Sequence, residues 1–415
     1  MYNQEMNTHI TQKLASTPML YLSLGSKELF HSNFLYWLGT NYRDKFQELI
    51  ARLLNINSLW PEGWTLRREY LHLDLCITYQ KEKKNGKGKK GTEECVFVII
   101  ENKVKSLPDI VQLKRYEKKF SGRNGGCSYA VFSLVKDFPG QKYLTGNTSW
   151  QLHHYDELAA LIRDCCPDDV ILTEHRPYIC DYCQFVENLS KLAEGWIIDE
   201  QSPFLSPCEN LHELRLNDIY EKVRYAQIAA MLAERMKSVL ESVVSEEEKV
   251  VLGMSNADVI LRREHKDAEE ILAFYGCPEA KPFQQVFIGS GMSHGIGLFE
   301  AKVKVSNDCC LVLQVQGNRY CHGIEKQNIV HNSTSLSEWL RNFIEFKFGG
   351  LPDHKSQPDS KQCQYKDGFL YKSQKIDPNF KVRHIVDAMK NDLEIILRAK
   401  LNPKMPTTSF NITIF

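Results

Sequence analysis

The chain contains no apolar run of 18 residues, so no segment reads as a transmembrane helix. Its opening residues, MYNQEMNTHITQK, lack the apolar core of a signal peptide. A cytoplasmic protein without a membrane partner is therefore expected. Neither sign of charge is in excess, because Lys plus Arg and Asp plus Glu number 52 each. Nucleic-acid binding would then have to rest on a local basic patch, not on a basic whole. Cysteine is plentiful, at 13, yet the number is odd and the spacing irregular. Cys76, Cys95, Cys309 and Cys310 sit within apolar runs, where a free thiol behaves as a small hydrophobe. The single CxxC, Cys180 and Cys183, follows Cys165 and Cys166 at a distance that suits reduced thiols better than a zinc site. No internal repeat, helix-turn-helix or zinc finger stands out. The glycine-rich loop from Gly289 to Gly297, GSGMSHGIG, has neither the lysine nor the following helix of a phosphate loop.

What the chain has is enough length and apolar content for two or three packed domains: 415 residues, 43% hydrophobic and 25% charged. In residues 1–196 the patterning predicts helices over Lys27–Leu38, Lys45–Leu54, Glu157–Cys165 and Tyr178–Leu192. Between them fall candidate strands at Leu71–Tyr79, Cys95–Ile100, Ser128–Leu134 and Trp150–Tyr155. This order predicts an α/β domain whose mixed central sheet is flanked by helices. Residues 197–210, with Pro203 and Pro207, read as a linker. Residues 211–415 predict a second, α+β domain that opens on a long helix, Asn217–Val244, and ends on a strand, SFNITIF. Its role is not readable.

The chemistry concentrates in CVFVIIENKVKSLPDIVQLKRYEKKF, Cys95 to Phe120. A buried strand ends there on Glu101, Asn102 and Lys103, with Glu101 and Lys103 on one face because side chains alternate. Charges at the end of a buried strand are costly unless partnered. Asp74 in LHLDLCITY is a mid-strand carboxylate flanked by leucines, and a hairpin can bring it beside Glu101. After Pro108 and Asp109 a helix follows, with Gln112 and Tyr116 four apart on one face. The plain alternatives are a solvated ion pair at Glu101 and Lys103, and for Glu28 the ordinary preference of acids for a first helical turn. His31 is expected to be a hydrogen-bonded core residue, not a ligand.

In their order and their elements these residues resemble the PD-(D/E)XK nuclease superfamily, in its RecB-like QxxxY branch. Asp74 matches the metal-binding aspartate, Glu101-Asn102-Lys103 the (D/E)xK element, Gln112 and Tyr116 the QxxxY pair, and Glu28 an acidic residue on the first helix. Leu73, not proline, precedes Asp74. The resemblance covers roughly residues 20–155 and implies a restriction-endonuclease-like core. It also implies Mg²⁺ (or Mn²⁺) held by Asp74, Glu101 and the Asn102 carbonyl. Lys103 would activate water or stabilise the transition state, Gln112 would position DNA or the lysine, and Tyr116 would brace the helix. Glu28 would bind a water on the metal or a second ion. The expected partner is DNA, with RNA left open, and so are self-assembly and a targeting protein. Expected contacts to it are Lys81, Lys83, Lys84, Lys87, Lys89 and Lys90 of a lysine-rich loop, together with Lys105, Lys114, Arg115 and Tyr116. The loop could equally serve solubility alone. The rival reading is a non-catalytic nucleic-acid-binding or assembly protein on the same fold.

Overall fold

The structure is a computed structural model. It describes residues 2–23, 27–84, 90–104, 106–108, 110–120, 126–136, 138, 141–205, 211–212, 214–243, 262–263, 270–275, 286–293, 296–306, 309–326, 338–347, 349–352, 363–365 and 369–400. The chain divides into two compact units, Met1–Ile197 with Cys208–Tyr220, and Ile198–Pro207 with Glu221–Phe415.

The first unit is mixed α/β. Its strands β1 (Thr65–Tyr70), β2 (Leu73–Lys84), β3 (Lys90–Lys103), β4 (Ser128–Ser133) and β5 (Trp150–His154) form one five-stranded sheet in that order. The pairs β1/β2 and β2/β3 are antiparallel, whereas β3/β4 and β4/β5 are parallel. Central strands covered on both faces need apolar residues throughout, and SYAVFS of β4 is buried at every position after Ser128. The helices are α1 (Tyr2–Ser16), α2 (Pro18–Ser23), α3 (Lys27–Asn41), α4 (Arg43–Leu53), α5 (Ile110–Phe120), α6 (Gln141–Asn147), α7 (Tyr155–Cys165) and α8 (Arg176–Glu194). Helix α3 lies on β1 to β3, while α7 and α1 pack against α8. Helix α5 buries Leu113, Tyr116 and Phe120, an i, i+3, i+7 stripe, and leaves Arg115, Lys118 and Lys119 exposed.

Three local features differ from expectation. Strand β1, TLRREY, has no apolar alternation. It is held by polar partners instead: the Arg67 Nε donates to Glu94 Oε1 at 2.9 Å and the Tyr70 hydroxyl to Glu94 Oε2 at 2.7 Å. Next, the lysine-rich insert is largely strand, since β2 runs on to Lys84 and β3 begins at Lys90. Lys81 pairs there with Glu93, an opposite-charge cross-strand neighbour that favours the ladder. Finally, β2 begins two residues later than expected because Leu71 and His72 make the hairpin turn. Both have positive φ, 58° and 70°, and Tyr70 pairs with Leu73 across them. Such a turn suits Asn-Gly, and each ordinary residue placed there costs about 1–2 kcal/mol.

In the second unit, eight strands form one sheet in the order β12-β13-β11-β10-β9-β8-β7-β6. They are β6 (Arg262–Arg263), β7 (Glu270–Tyr275), β8 (Val286–Ser293), β9 (Ile296–Ser306), β10 (Cys309–Gln316), β11 (Arg319–Lys326), β12 (Cys363–Tyr365) and β13 (Phe369–Lys375). Every neighbouring pair is antiparallel. Helix α9 spans Asn217–Val243 and belongs to this unit from Glu221 on; α10 spans Glu338–Ile344 and α11 Val382–Lys400. Helix α11 packs on β9 and β10, burying Val382, Ile385, Val386, Met389, Leu393 and Ile396. Residues 198–207 form part of this unit: Phe204 is buried, and its N–H donates to the Phe380 carbonyl at 2.7 Å. The expected final strand, SFNITIF, lies outside the described residues. Among the described residues no helix is long and apolar enough to cross a membrane.

Candidate functional site

The polar end of β3 is where the first unit gathers its charge. Glu101, Asn102 and Lys103 are 2%, 0% and 7% exposed, so each must find partners inside the protein. The Lys103 ammonium donates to Glu101 Oε1 at 3.1 Å and to Gln112 Oε1 at 3.2 Å. Gln112 Nε2 in turn donates to Glu101 Oε1 at 3.1 Å and to the Tyr116 hydroxyl at 3.1 Å. One turn of helix therefore carries an amide to the lysine and a phenol that backs the amide. The Tyr116 hydroxyl finishes the chain by donating to the His72 carbonyl at 2.7 Å.

Asp74 joins from the neighbouring strand. The register that pairs Leu75 with Ile100 sets Asp74 opposite Glu101, and Asp74 Oδ2 accepts the Asn102 backbone N–H at 2.8 Å. Glu28, in the first turn of α3, accepts from the Ser106 hydroxyl at 2.8 Å. The carboxylates feel one another. Burial raises the Asp74 pKa, opposed by the Asn102 N–H and the Lys103 charge, with Glu28 and Glu69 pushing it further up. Burial pushes Glu101 up to about 7 against the pull of Lys103. Lys103 is itself opposed by burial, but Glu101, Glu28 and Asp74 outweigh that and hold it up at about 12. Lys103 thus feels the charge of all three carboxylates. Glu101 Oε2 is buried with no hydrogen-bond partner. An orphaned carboxylate oxygen in a negatively biased pocket fits a hard cation with oxygen ligands. Among the described residues, no group of three or more His, Cys, Asp or Glu side chains gathers as a metal cluster, so the fit rests on two carboxylates, Asp74 and Glu101, and a backbone carbonyl.

Four contributors carry no signal in the sequence. Asn102 turns to the other face of β3, where its Nδ2 donates to Ser32 Oγ at 2.9 Å and its Oδ1 accepts from the Tyr155 hydroxyl at 3.0 Å. Tyr155 reaches it because α7 starts directly after β5, and the Glu157 carboxylate caps that junction at the His154 N–H. Ser106 holds Glu28. Exposed Glu69 (φ 49°) adds a further negative charge beside Asp74. His31 is a core histidine: its Nδ1 pairs with the Tyr182 hydroxyl at 3.0 Å, and full burial drops its pKa to about 3.

Of the expected nucleic-acid contacts, Arg115 lies exposed on α5, Lys114 beside it is half-buried, and Lys81 is exposed on β2. Lys83, Lys84 and Lys90 lie on the same ribbon, whereas Lys87, Lys89 and Lys105 lie outside the described residues. Tyr116 is buried, so its role is in the bracing of Gln112 and the turn. Of the cysteines near the CxxC, Cys165, Cys166 and Cys183 are buried free thiols and Cys180 is exposed. Set against known proteins, the chain matches no family model, no curated protein and no solved structure.

Proposed function

We propose that the first unit is a metal-dependent nuclease of the PD-(D/E)XK kind that hydrolyses phosphodiester bonds in DNA. The observation that carries this reading is the buried Glu101–Lys103–Gln112 cluster, with Asp74 across from it and Glu101 Oε2 left without a partner. A merely structural ion pair would need no second carboxylate across from it on the neighbouring strand.

Asp74, Glu101 and the Asn102 carbonyl would hold Mg²⁺ or Mn²⁺, which supplies charge neutralisation at the phosphoryl oxygens and a more acidic water. The chain's own residues do the rest. Glu101 and Gln112 fix the Lys103 ammonium in one place, so its charge is pre-aimed and costs no reorganisation when a phosphoryl group gains negative charge. Gln112 is fixed in turn by Tyr116, which ties α5 to the β1–β2 turn. Ser32 and Tyr155 clamp the Asn102 side chain and so set the peptide between Glu101 and Lys103. Ser106 holds Glu28 at the rim.

Incubating the protein with linear DNA, circular DNA and RNA, each with Mg²⁺, Mn²⁺ or EDTA, tests the reading. Cleavage of DNA that requires the metal and is lost in Asp74→Asn is the expected result. Binding without metal-dependent cleavage of any of these polymers would replace the nuclease with a nucleic-acid-binding protein on this fold.

A further inference from the structure

The strongest backbone anomaly of the first unit lies beside the candidate site. Glu69, Leu71 and His72 all have positive φ (49°, 58° and 70°), and none is glycine or asparagine. A strained conformation kept by ordinary residues points to a use for their side chains. Leu71 is 38% exposed and His72 is exposed, so packing is not what retains them. The turn is also braced from behind. Tyr116 donates to the His72 carbonyl at 2.7 Å and the Lys119 ammonium to the Leu71 carbonyl at 3.4 Å. The result is a stiff tip carrying one branched apolar side chain and one flat imidazole, with two exposed cations beside it, Lys119 on the Leu71 carbonyl and Arg115 over the Tyr116 ring, and exposed Glu69 preceding it. His72 and Asp74 are two positions apart, with Leu73 between them. That is roughly 7 Å of strand, or about two base steps of B-form DNA.

We propose that the Leu71–His72 turn is a nucleobase wedge, so that the protein acts beside unpaired or unstacked nucleotides. This rests on the nuclease reading of the same site. The α5 cations meet the phosphate backbone, which carries no sequence information. Meanwhile Leu71 enters a base step and His72 lies on the exposed face of a base. Apolar side chains inserted between bases unstack them, and flat side chains bind any base through its face. In an intact duplex those faces are covered, so a bulge, a splayed end or a single strand is the preferred substrate.

The test compares the wild-type full-length protein with the double substitution Leu71→Asn and His72→Gly. Asn-Gly is the pair that this turn favours, so the variant should melt no lower than the wild type. Each protein is given, with Mg²⁺, a matched duplex and the same duplex carrying a two-nucleotide bulge. Wild type should cut the bulged duplex about tenfold faster or more, the effect of one stacked base, and the variant should lose most of that preference. In parallel, with EDTA, 2-aminopurine placed at the bulge should brighten as wild type binds and unstacks it, and less so with the variant. Cleavage with equal rates on both duplexes, or a preference kept by the variant, overturns the wedge and leaves the nuclease reading standing. A 2-aminopurine response lost in the variant, with no cleavage of any substrate, keeps the wedge and overturns the nuclease. Absence of both responses overturns both.

Discussion

Each unit buries a knot of charged and polar side chains, and the two knots are built to opposite ends. In the second unit, Tyr320, His322 and Asp392 are 0%, 2% and 3% exposed. Asp392 Oδ2 accepts from the Tyr320 hydroxyl at 2.6 Å and from His322 Nε2 at 2.9 Å, and the Gly350 N–H reaches Oδ1 at 3.0 Å. The other ring nitrogen, Nδ1, meets the Phe343 carbonyl at 3.0 Å, and the imidazole is stacked between Phe343 and Phe346. The glycines are required here: a Cβ on Gly349 would stand 1.7 Å from Asp392 Oδ1, and Gly350 has φ of 113°. Every oxygen of that carboxylate is used and nothing is left to bind. In the first unit Glu101, Glu28 and Asp74 all act on the Lys103 ammonium, and an oxygen of Glu101 stays orphaned. Burial and charge alone do not distinguish a site from a brace. What sets the first knot apart is a second carboxylate, Asp74, on the strand beside that of the orphaned Glu101 oxygen.

Breaking each knot should therefore give opposite phenotypes. The largest effect is expected from Asp74→Asn, which should lower single-turnover cleavage more than about 10³-fold, over 4 kcal/mol, because the charge proposed to hold the cation is lost. Calorimetry should show the Mg²⁺ heat vanish with little change in melting temperature. Asp392→Ala should do the reverse. Leaving His322 and Tyr320 buried and unpartnered should cost about 3–4 kcal/mol of stability in denaturant titration, while cleavage well below the melting point stays at the wild-type rate. Lys103→Met keeps the aliphatic stem and removes the charge, so turnover should fall about 10²-fold, roughly 3 kcal/mol, with substrate binding retained. A Lys103→Met protein that melts early and cuts normally would move this lysine into the same class as His322.

A further effect concerns pH and separates an ordinary buried group from both knots. The His31 pKa, lowered to about 3 by burial, lies below that of an unfolded histidine. The unfolded chain then takes up a proton first as pH falls, so this contribution is full above about pH 6.5. It is lost between there and pH 3, by at most about 1.4 kcal/mol per pH unit. His31→Phe should flatten the acid limb of the stability curve by that amount, and an unchanged limb would show the ring to be solvated.

The side-chain cluster was legible where it is local. Glu101 and Lys103 announce themselves as charges ending an apolar run, and Gln112 and Tyr116 by helical spacing. The alternating apolar and polar segments were legible as a mixed α/β sheet with helices. What was not legible depends on partners far along the chain. Ser32 and Tyr155 reach Asn102 from 70 and 53 residues away, and neither sits in a pattern that marks it. Strand β1 could not be read because Arg67 and Tyr70 satisfy it through Glu94, a residue two strands over. The turn at Leu71 and His72 hid for the contrary reason: its residues contradict its conformation, so local preference pointed to strand.

The division of the chain has a consequence for synthesis. Residues 198–207 complete the second unit, yet residues 208–220 return to the first. The polypeptide thus passes between the units three times, and no single cut frees either one intact. A nascent first unit that has emerged only to Ile197 still lacks Leu214 and Leu216, buried residues it must wait for. At the same time the buried Phe204 must find its seat before Phe380, its partner, exists. On the ribosome, the two halves are interleaved in time as well as in sequence.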